Sequence, residues 1–328
     1  MGFYNLVEME RIIPDIGIIA ALDKIEALRA FSAIADQGGF AAAARHLRVS
    51  PQVVTRAIAG LEHELGAQLL HRTTRSVRLT EEGAAFLARC RQILSDLRDA
   101  EQQVMGARSE PRGELIVTAP VVFGRMHVVP VIATLLGRHP QLVIRLLLLD
   151  RMVNLVEEGI DVAVRIGELP DSSLRAIKIS EVREVLVASP SYLEKHGAPA
   201  KPTDLQRHQL IQFMSLNGGE DWRFGPNEGQ IVRVRPRLEV NSADAAITAA
   251  QAGLGITRVL SYQVSAAVAS GRLRTVLGAF ARPPVPVSVL MPPGRHDSVN
   301  VRSFIQGVKE YLAEGRRGSR LDLPEPSV

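Results

Sequence analysis

The chain has 328 residues, of which 46 % are apolar and 23 % charged, with 39 basic against 35 acidic side chains. That length exceeds a single small core and points to two or three domains of ordinary globular composition. A net charge of +4 excludes a molecule that coats nucleic acid over its whole surface. The single cysteine, Cys90, excludes a disulfide framework and fits the reducing cytoplasm.

No run reads as long enough to span a bilayer. The apolar stretch 12–22 is interrupted by Pro14 and Asp15, and Glu8 and Glu10 stand where a signal peptide needs positive charge. Residues 1–20 are therefore read as an N-terminal extension. From 23 to 35, Ile25, Leu28, Phe31 and Ile34 recur every three residues, which predicts a first amphipathic helix. Gly38 and Gly39 break it. A second helix is expected over 40–47, where the alanines at 41–44 permit close packing, and Arg48-Val49 is the turn. Ser50 is a strong N-cap and Pro51 suits a first helical position, so a third helix is expected from 51 to about 65, with Gly66 just past its end. Two short helices joined this tightly form a helix-turn-helix, whose second helix lies in the major groove of DNA.

On that third helix Val54, Ile58, Leu61 and Leu65 make the expected buried stripe. The opposite face carries Gln52, Thr55 and Arg56. Glutamine pairs bidentately with adenine and arginine with guanine, and a threonine hydroxyl suits a phosphate. Ser50 and Pro51 complete the expected DNA-facing set. Arg45, Arg48, Arg56, Arg72, Arg75 and Arg78 fall in one stretch whose acids are Glu62 and Glu64 alone, a basic patch of the kind that phosphate contact requires.

Around Thr73-Thr74, Leu69, Leu70, Val77 and Leu79 alternate with polar residues, which predicts a two-stranded wing with Arg72, Thr73 and Arg75 at its tip. Thr80 then opens a long helix to about 104. In it Leu87, Cys90, Leu94, Leu97 and Val104 follow three-four spacing, a seam for a partner helix, most economically that of a second subunit. Within that stripe Cys90 reads as a small core hydrophobe rather than a redox sensor.

The patterns Leu28-Arg29-Ala30-Phe31, Gly39-Phe40-x-x-Ala43-Ala44-x-x-Leu47, Val49-Ser50-Pro51, Ile58-x-x-Leu61-Glu62-x-x-Leu65-Gly66, Leu69-Leu70-x-Arg72-Thr73-Thr74-Arg75 and Leu79-Thr80-x-x-Gly83 resemble the LysR-type transcriptional regulators. The match covers the whole head. One departure is Thr55, where the family commonly carries serine. The resemblance implies double-stranded DNA and RNA polymerase as partners.

Residues 106–113 are a linker by composition. Beyond it, strands are expected at 114–119, 143–149 and 162–166, with helices at 121–138 and 153–158. The pattern resumes with strands at 210–213, 231–240, 256–260, 273–277 and 286–290, and helices at 242–252, 262–270 and 299–313. Such alternation argues for α/β architecture with mostly parallel sheets, in two lobes crossing near 187–190 and 281–286. Trp222 is expected to pack a strand edge, and the tail 315–328 to be disordered. Arg165-Ile166-Gly167-Glu168-Leu169, Ala188-Ser189-Pro190-x-Tyr192-Leu193 and Gly253-x-Gly255-Ile256 resemble the effector-binding domain of the same regulators, which has the periplasmic-binding-protein fold. The expected organisation is therefore an extension (1–20), a winged helix-turn-helix (21–80), a linker helix (81–110), a two-lobed effector-binding domain (111–314) and a tail.

Open α/β sheets bind ligands at strand carboxyl ends beside helix N-termini. The first such place is Pro120, Val121, Val122 and Phe123, whose free amides would attract a carboxylate. The family often has Ser or Thr there, so a less polar ligand or amide-only recognition is favoured. Arg165, Gly167 and Ser173 end the third strand, while Phe213, Asn241 and Thr257 are expected to face the cleft from the second lobe. Arg165 suits an anionic ligand or an ion pair with Asp161 or Glu168. Asn241 suits a helix cap or a ligand contact.

The chain lacks Gly-x-Ser-x-Gly, P-loop, Gly-x-Gly-x-x-Gly and His-Glu-x-x-His motifs, and its eight histidines have no metal-ligand spacing. Neither catalysis nor a metal nor a cofactor is expected. The expected protein is a homodimeric or homotetrameric cytoplasmic regulator that binds DNA and a small-molecule effector, with no membrane partner. The alternative is a solute-binding or biosynthetic α/β protein whose N-terminal helices serve only for oligomerisation.

Overall fold

The structure, a computed structural model, describes residues 16–72, 77–104, 110–169, 174–216 and 219–316. It divides into two compact units, residues 1–107 with 156–159, and residues 108–155 with 160–328.

The first unit opens with α1 (Ile16–Gln37), which starts seven residues earlier than periodicity suggests: after Pro14 the run Ile18-Ile19-Ala20-Ala21-Leu22 carries helix formers that outweigh the single Gly17. Then follow α2 (Phe40–Leu47) and α3 (Pro51–Leu65). The wing is β1 (Leu70–Arg72) paired antiparallel with β2 (Val77–Leu79), and α4 (Glu81–Val104) completes the unit. Phe31, Ile34, Ala43, Ala44, Val54, Ile58 and Leu61 form its buried core. Leu65 departs from the expected stripe at 41 % exposed, because the helix stops there and Gly66 turns the chain away in the left-handed region (φ +64°).

The second unit is built on two five-stranded sheets with the same plan. The first has the order β4-β3-β5-β14-β6, from β3 (Gly113–Ala119), β4 (Leu142–Leu148), β5 (Val162–Ile166), β6 (Arg175–Val182) and β14 (Val285–Met291). The second has the order β11-β8-β12-β7-β13, from β7 (Glu184–Ala188), β8 (Leu210–Phe213), β11 (Leu238–Val240), β12 (Ile256–Leu260) and β13 (Arg274–Val276). In each, the first three strands run parallel, the fourth runs antiparallel to both of its neighbours, and the fifth returns to the direction of the first three. The sheets are thus less parallel than expected, because the fourth strand of each arrives from the other lobe and runs against its neighbours.

The outward crossing is at Arg183, where β6 gives way to β7, rather than near 187–190; the return runs through 277–284. The expected strand at 231–240 is two strands, β10 (Gln230–Arg233) and β11. Pro236 interrupts it, and β10 pairs with β9 (Asp221–Phe224) as a separate hairpin. Trp222 in β9 is fully buried. No helix forms over 153–158: residues 155–159 form turns, with the Ile160 amide donating to the Leu155 carbonyl at 2.8 Å.

The helical run 121–138 consists of α5 (Val121–Phe123), a π-turn (Gly124–Val128) and α6 (Val129–Arg138). Among the described residues this run alone has the length and apolarity to cross a membrane, contrary to the expectation that no run does. Val122, Phe123, Val128, Val131 and Leu135 lie in the unit's main core. The remaining helices are α7 (Pro190–His196), α8 (Ala243–Gln251), α9 (Ser261–Ala269) and α10 (Val299–Arg316). Helix α10 runs past the expected end at 313; residues 317–328 lie outside the described set, as do 1–15.

Candidate DNA-reading surface and ligand cleft

At the start of α3 the Ser50 hydroxyl accepts a hydrogen bond from the Val53 amide at 3.4 Å, and Pro51 takes the position whose missing N–H costs nothing. Gln52, Thr55 and Arg56 are exposed on the following turn, beside Val53 at 54 % exposure. Among the described residues Gln52 and Arg56 have no hydrogen bond or ion pair, so their donors are available to a partner. Thr55 differs: its Oγ1 donates to the Pro51 carbonyl at 2.9 Å, so the hydroxyl must rotate before it serves a phosphate.

The wing is fastened to this helix from behind. Glu62 Oε1 accepts from the amides of Leu69 (2.9 Å) and Leu70 (3.2 Å), joining α3 to the base of β1. Thr80 accepts from the Gly83 amide at 2.9 Å and donates to the Gln68 carbonyl at 2.8 Å. A Cβ at Gly83 would lie 2.0 Å from the Leu69 carbonyl oxygen, so only glycine allows α4 to start this close to the wing. Arg72 ends β1, while Thr73 and Arg75 lie outside the described residues, as does the side chain of Arg72.

The seam expected on α4 is divided. Leu87 and Cys90 are buried in the unit's own core, and the Phe86 ring lies 5.8 Å from that of Phe31 on α1. Leu87 and Cys90 are therefore not free for a partner helix, because α1 already covers that face. Leu94 and Leu97 are half-buried, Ile93 is 47 % exposed, and the side chain of Val104 lies outside the described residues. Burial pushes the Cys90 thiol up to about 12, in keeping with a core hydrophobe rather than a redox sensor.

In the second unit the expected ligand position at the start of α5 is already filled. The Val121 amide donates to Asp150 Oδ1 at 3.0 Å, so the chain's own carboxylate takes the place proposed for a ligand's. Burial holds Asp150 above the usual carboxylate range, while the Val121 amide and the charge of Arg165 pull the other way. Val122 and Phe123 face the core, and the Phe123 ring meets Tyr262 of the other lobe edge-on at 5.5 Å. His127 from the π-turn also meets Tyr262, at 5.3 Å, and Arg125 pairs with Asp244 at 3.2 Å. The lobes are packed together along this side.

Of the other expected contacts, Phe213 is in the core, and Thr257 is fully buried with its hydroxyl donating to the Ile211 carbonyl at 3.0 Å. Neither is open to a ligand, because both side chains point into the sheet's packed face. Arg165 is buried, with Nη1 donating to the Val164 carbonyl, while Asp161 pairs with Arg295 at 3.3 Å. Asn241 is exposed and the cap of α8 is Ser242, which accepts from Ala245. Ser173 lies outside the described residues. Pro120 is half-buried, and Gly167 (φ +110°) lines a cavity between the lobes.

That cavity, about 330 Å³, lies between the lobes beside the crossings, from Ile166-Gly167-Glu168 to Pro283-Pro284. Its polar wall is an ion network absent from the sequence expectations. Arg282, on the return crossing, donates through Nη1 to both carboxylate oxygens of Glu184, each at 3.0 Å, and through Nε to Glu228 at 3.0 Å. Arg258 lies 3.8 Å from Glu184 and 4.8 Å over the Trp222 ring, whose Nε1 donates to Gln212 at 2.9 Å. Burial lowers Arg258, whereas for Arg282 the bonds and charges of Glu228 and Glu184 outweigh burial and raise it. The signal for Arg282 was its place beside Pro283-Pro284 in the crossing. Nothing local marks Glu184 or Glu228, which meet it across 98 and 54 residues.

A winged helix-turn-helix with an exposed polar face on its second helix, joined in one chain to a two-lobed α/β body, defines a DNA-binding transcription regulator. Residues 25–84 match the bacterial regulatory helix-turn-helix family of lysR type, and residues 108–313 the LysR substrate binding domain. PtxR, an HTH-type transcriptional regulator of Pseudomonas aeruginosa, is 34 % identical over 312 residues, covering 93 % of this chain and 99 % of that protein. The solved structure of CrgA, a LysR-type regulator from Neisseria meningitidis, is 30 % identical with a TM-score of 0.57, covering 87 % of this chain and 98 % of that one. Full-length AphB of Vibrio cholerae gives 27 % and 0.56, covering 88 % of this chain and 99 % of that one. The chain belongs to the LysR family of transcriptional regulators, with a DNA-binding and an effector-binding domain. The solute-binding or biosynthetic alternative is set aside.

Proposed function

We propose that α3 reads base edges in the major groove through Gln52 and Arg56, with Ser50, Pro51 and Thr55 at the phosphates and Arg72, Thr73 and Arg75 holding the flanking backbone. The observation that carries this is the pair of unpartnered side chains, Gln52 and Arg56, four residues apart on the exposed first half of a capped helix. Two or four copies assemble in the cytoplasm, using Leu94, Leu97 and Val104 on the later part of α4, and engage RNA polymerase at the promoter. An effector held between the lobes shifts the balance of two arrangements, by an amount typical of allosteric coupling, about 1–3 kcal/mol. The chain carries out no catalytic step.

The test begins by selecting bound sites from a random duplex pool and measuring mobility shifts at several salt concentrations. Arg56→Ala is expected to lose about 1–3 kcal/mol on the selected site while binding to random DNA changes little. An equal loss on both, or none on either, removes α3 from base reading. Arg72→Ala and Arg75→Ala should weaken binding to all sequences and flatten the salt dependence by a slope of about 1 each. An unaltered slope takes the wing out of the interface.

A further inference from the structure

The charged side chains lining the interlobe cavity fall into two groups. Glu184, Glu228, Arg258 and Arg282 satisfy one another, as described above. Glu168, Asp221 and Arg223 do not: all three are exposed, and among the described residues none has a hydrogen bond or an ion pair. Glu168 follows β5 in the first lobe. Asp221 and Arg223 are alternate residues of β9 in the second, outward on the strand whose inward residues, Trp222 and Phe224, are buried. The rest of the wall is largely apolar, including Leu216, Leu260 and the proline-rich return crossing.

An anion entering this space would meet one available cation and two available carboxylates, and a cation would meet Arg223. A molecule carrying both charges answers both. We infer that the cavity takes a small zwitterion with an apolar side chain, an α-amino acid or close analogue, its carboxylate on Arg223 and its ammonium on Glu168 and Asp221. The volume of about 330 Å³ is at the small end for ligand sites and suits an amino acid of leucine or phenylalanine size. Arginine offers the carboxylate a two-pronged pairing. A ligand held by Glu168 in one lobe and Arg223 in the other binds best when the lobes are drawn together, which is the differential affinity that a population shift requires. The inference rests on the proposed reading of the body as effector-binding.

Calorimetric titration of the full-length protein with L-leucine, L-phenylalanine, N-acetyl-L-leucine and L-leucinamide tests it. A free amino acid is expected to bind, with the acetylated and amidated forms weaker by about tenfold or more, since each loses one charged hydrogen-bonding group. Arg223→Ala and Glu168→Gln should weaken the amino acid by a similar factor, with Arg223→Lys recovering part of the loss. Equal binding of either blocked form, or no change in Arg223→Ala, overturns the inference. A parallel thermal-shift screen of anionic, cationic and neutral metabolites separates the two levels. If one of those raises the melting temperature and no amino acid does, the inference falls and the effector reading stands; if none of any class does, both fall.

Discussion

The two units of this chain handle their functional charges in opposite ways. On the reading face of the first, Gln52 and Arg56 stand in solvent with their donors unoccupied, held in place only by the helix beneath them. Around the cavity of the second, Glu184, Arg258, Arg282 and Glu228 are already matched with one another. A duplex brings its own dense charge and displaces only counterions, so the head needs no internal partner for its groups. A small ligand must compete with a formed network or use the few groups outside it. The head is therefore ready to bind as it stands, and selectivity in the body falls to Glu168, Asp221 and Arg223.

The contrast can be broken most severely at Glu184. Glu184→Ala leaves Arg282 and Arg258 facing each other without their shared carboxylate, and loss of one partner of a buried pair costs about 3–5 kcal/mol. Urea unfolding followed by the fluorescence of Trp222, the single tryptophan, reads that loss directly. Arg56→Ala, which removes as much charge from the head, should change stability by no more than about 0.5 kcal/mol. Comparable costs at the two sites would abolish the distinction.

A middle-sized effect is expected at Gly83. An alanine there forces its Cβ against the Leu69 carbonyl, and the shift needed to relieve such crowding costs about 1–3 kcal/mol. Circular dichroism melts of Gly83→Ala should show the destabilisation, and DNA affinity should fall with it because the base of the wing moves. Unchanged affinity would mean that wing and reading helix act separately.

The smallest effect is in the core of the head and depends on pH. The Cys90 thiol is raised in the folded protein to about 12, from 9.0 in an unconstrained chain. Below pH 9 it is neutral in both states and its contribution to stability is complete. Above pH 9 the unfolded thiol ionises while the folded one does not, so stability declines toward pH 12. The unfolding midpoint should drop more between pH 8 and pH 10.5 in the natural chain than in Cys90→Ala; parallel declines would dispose of the buried-thiol account.

The same division explains what could be read before the fold was known. The boundaries of α2 and α3, the Ser50 cap and the Gly66 stop follow from signals within a few residues, and each lies where it was expected. In the body, α8 and β12 carry clear patterns of their own. Strand β6 does not: Lys178, Ser180 and Glu181 interrupt its alternation, and it runs along a sheet edge where half its residues need no burial. The position of the first crossing was lost with it. The amide-lined ligand position also failed because Asp150, 29 residues further on, occupies it. The cavity that does exist gathers Glu168, Asp221, Arg223 and Arg282 from elements brought together only by the exchange of fourth strands.

The bond pair at Glu62 has a consequence for how new operators are acquired. One carboxylate oxygen holds the backbone at the root of β1 to α3, the helix proposed to meet the bases. Blade and flap consequently pivot as a single piece, and the angle between them is not available for adjustment. Descendants of this chain that come to recognise a different stretch of promoter must do so by exchanging side chains along a fixed edge. Freedom to re-aim that edge would require giving up Glu62 itself.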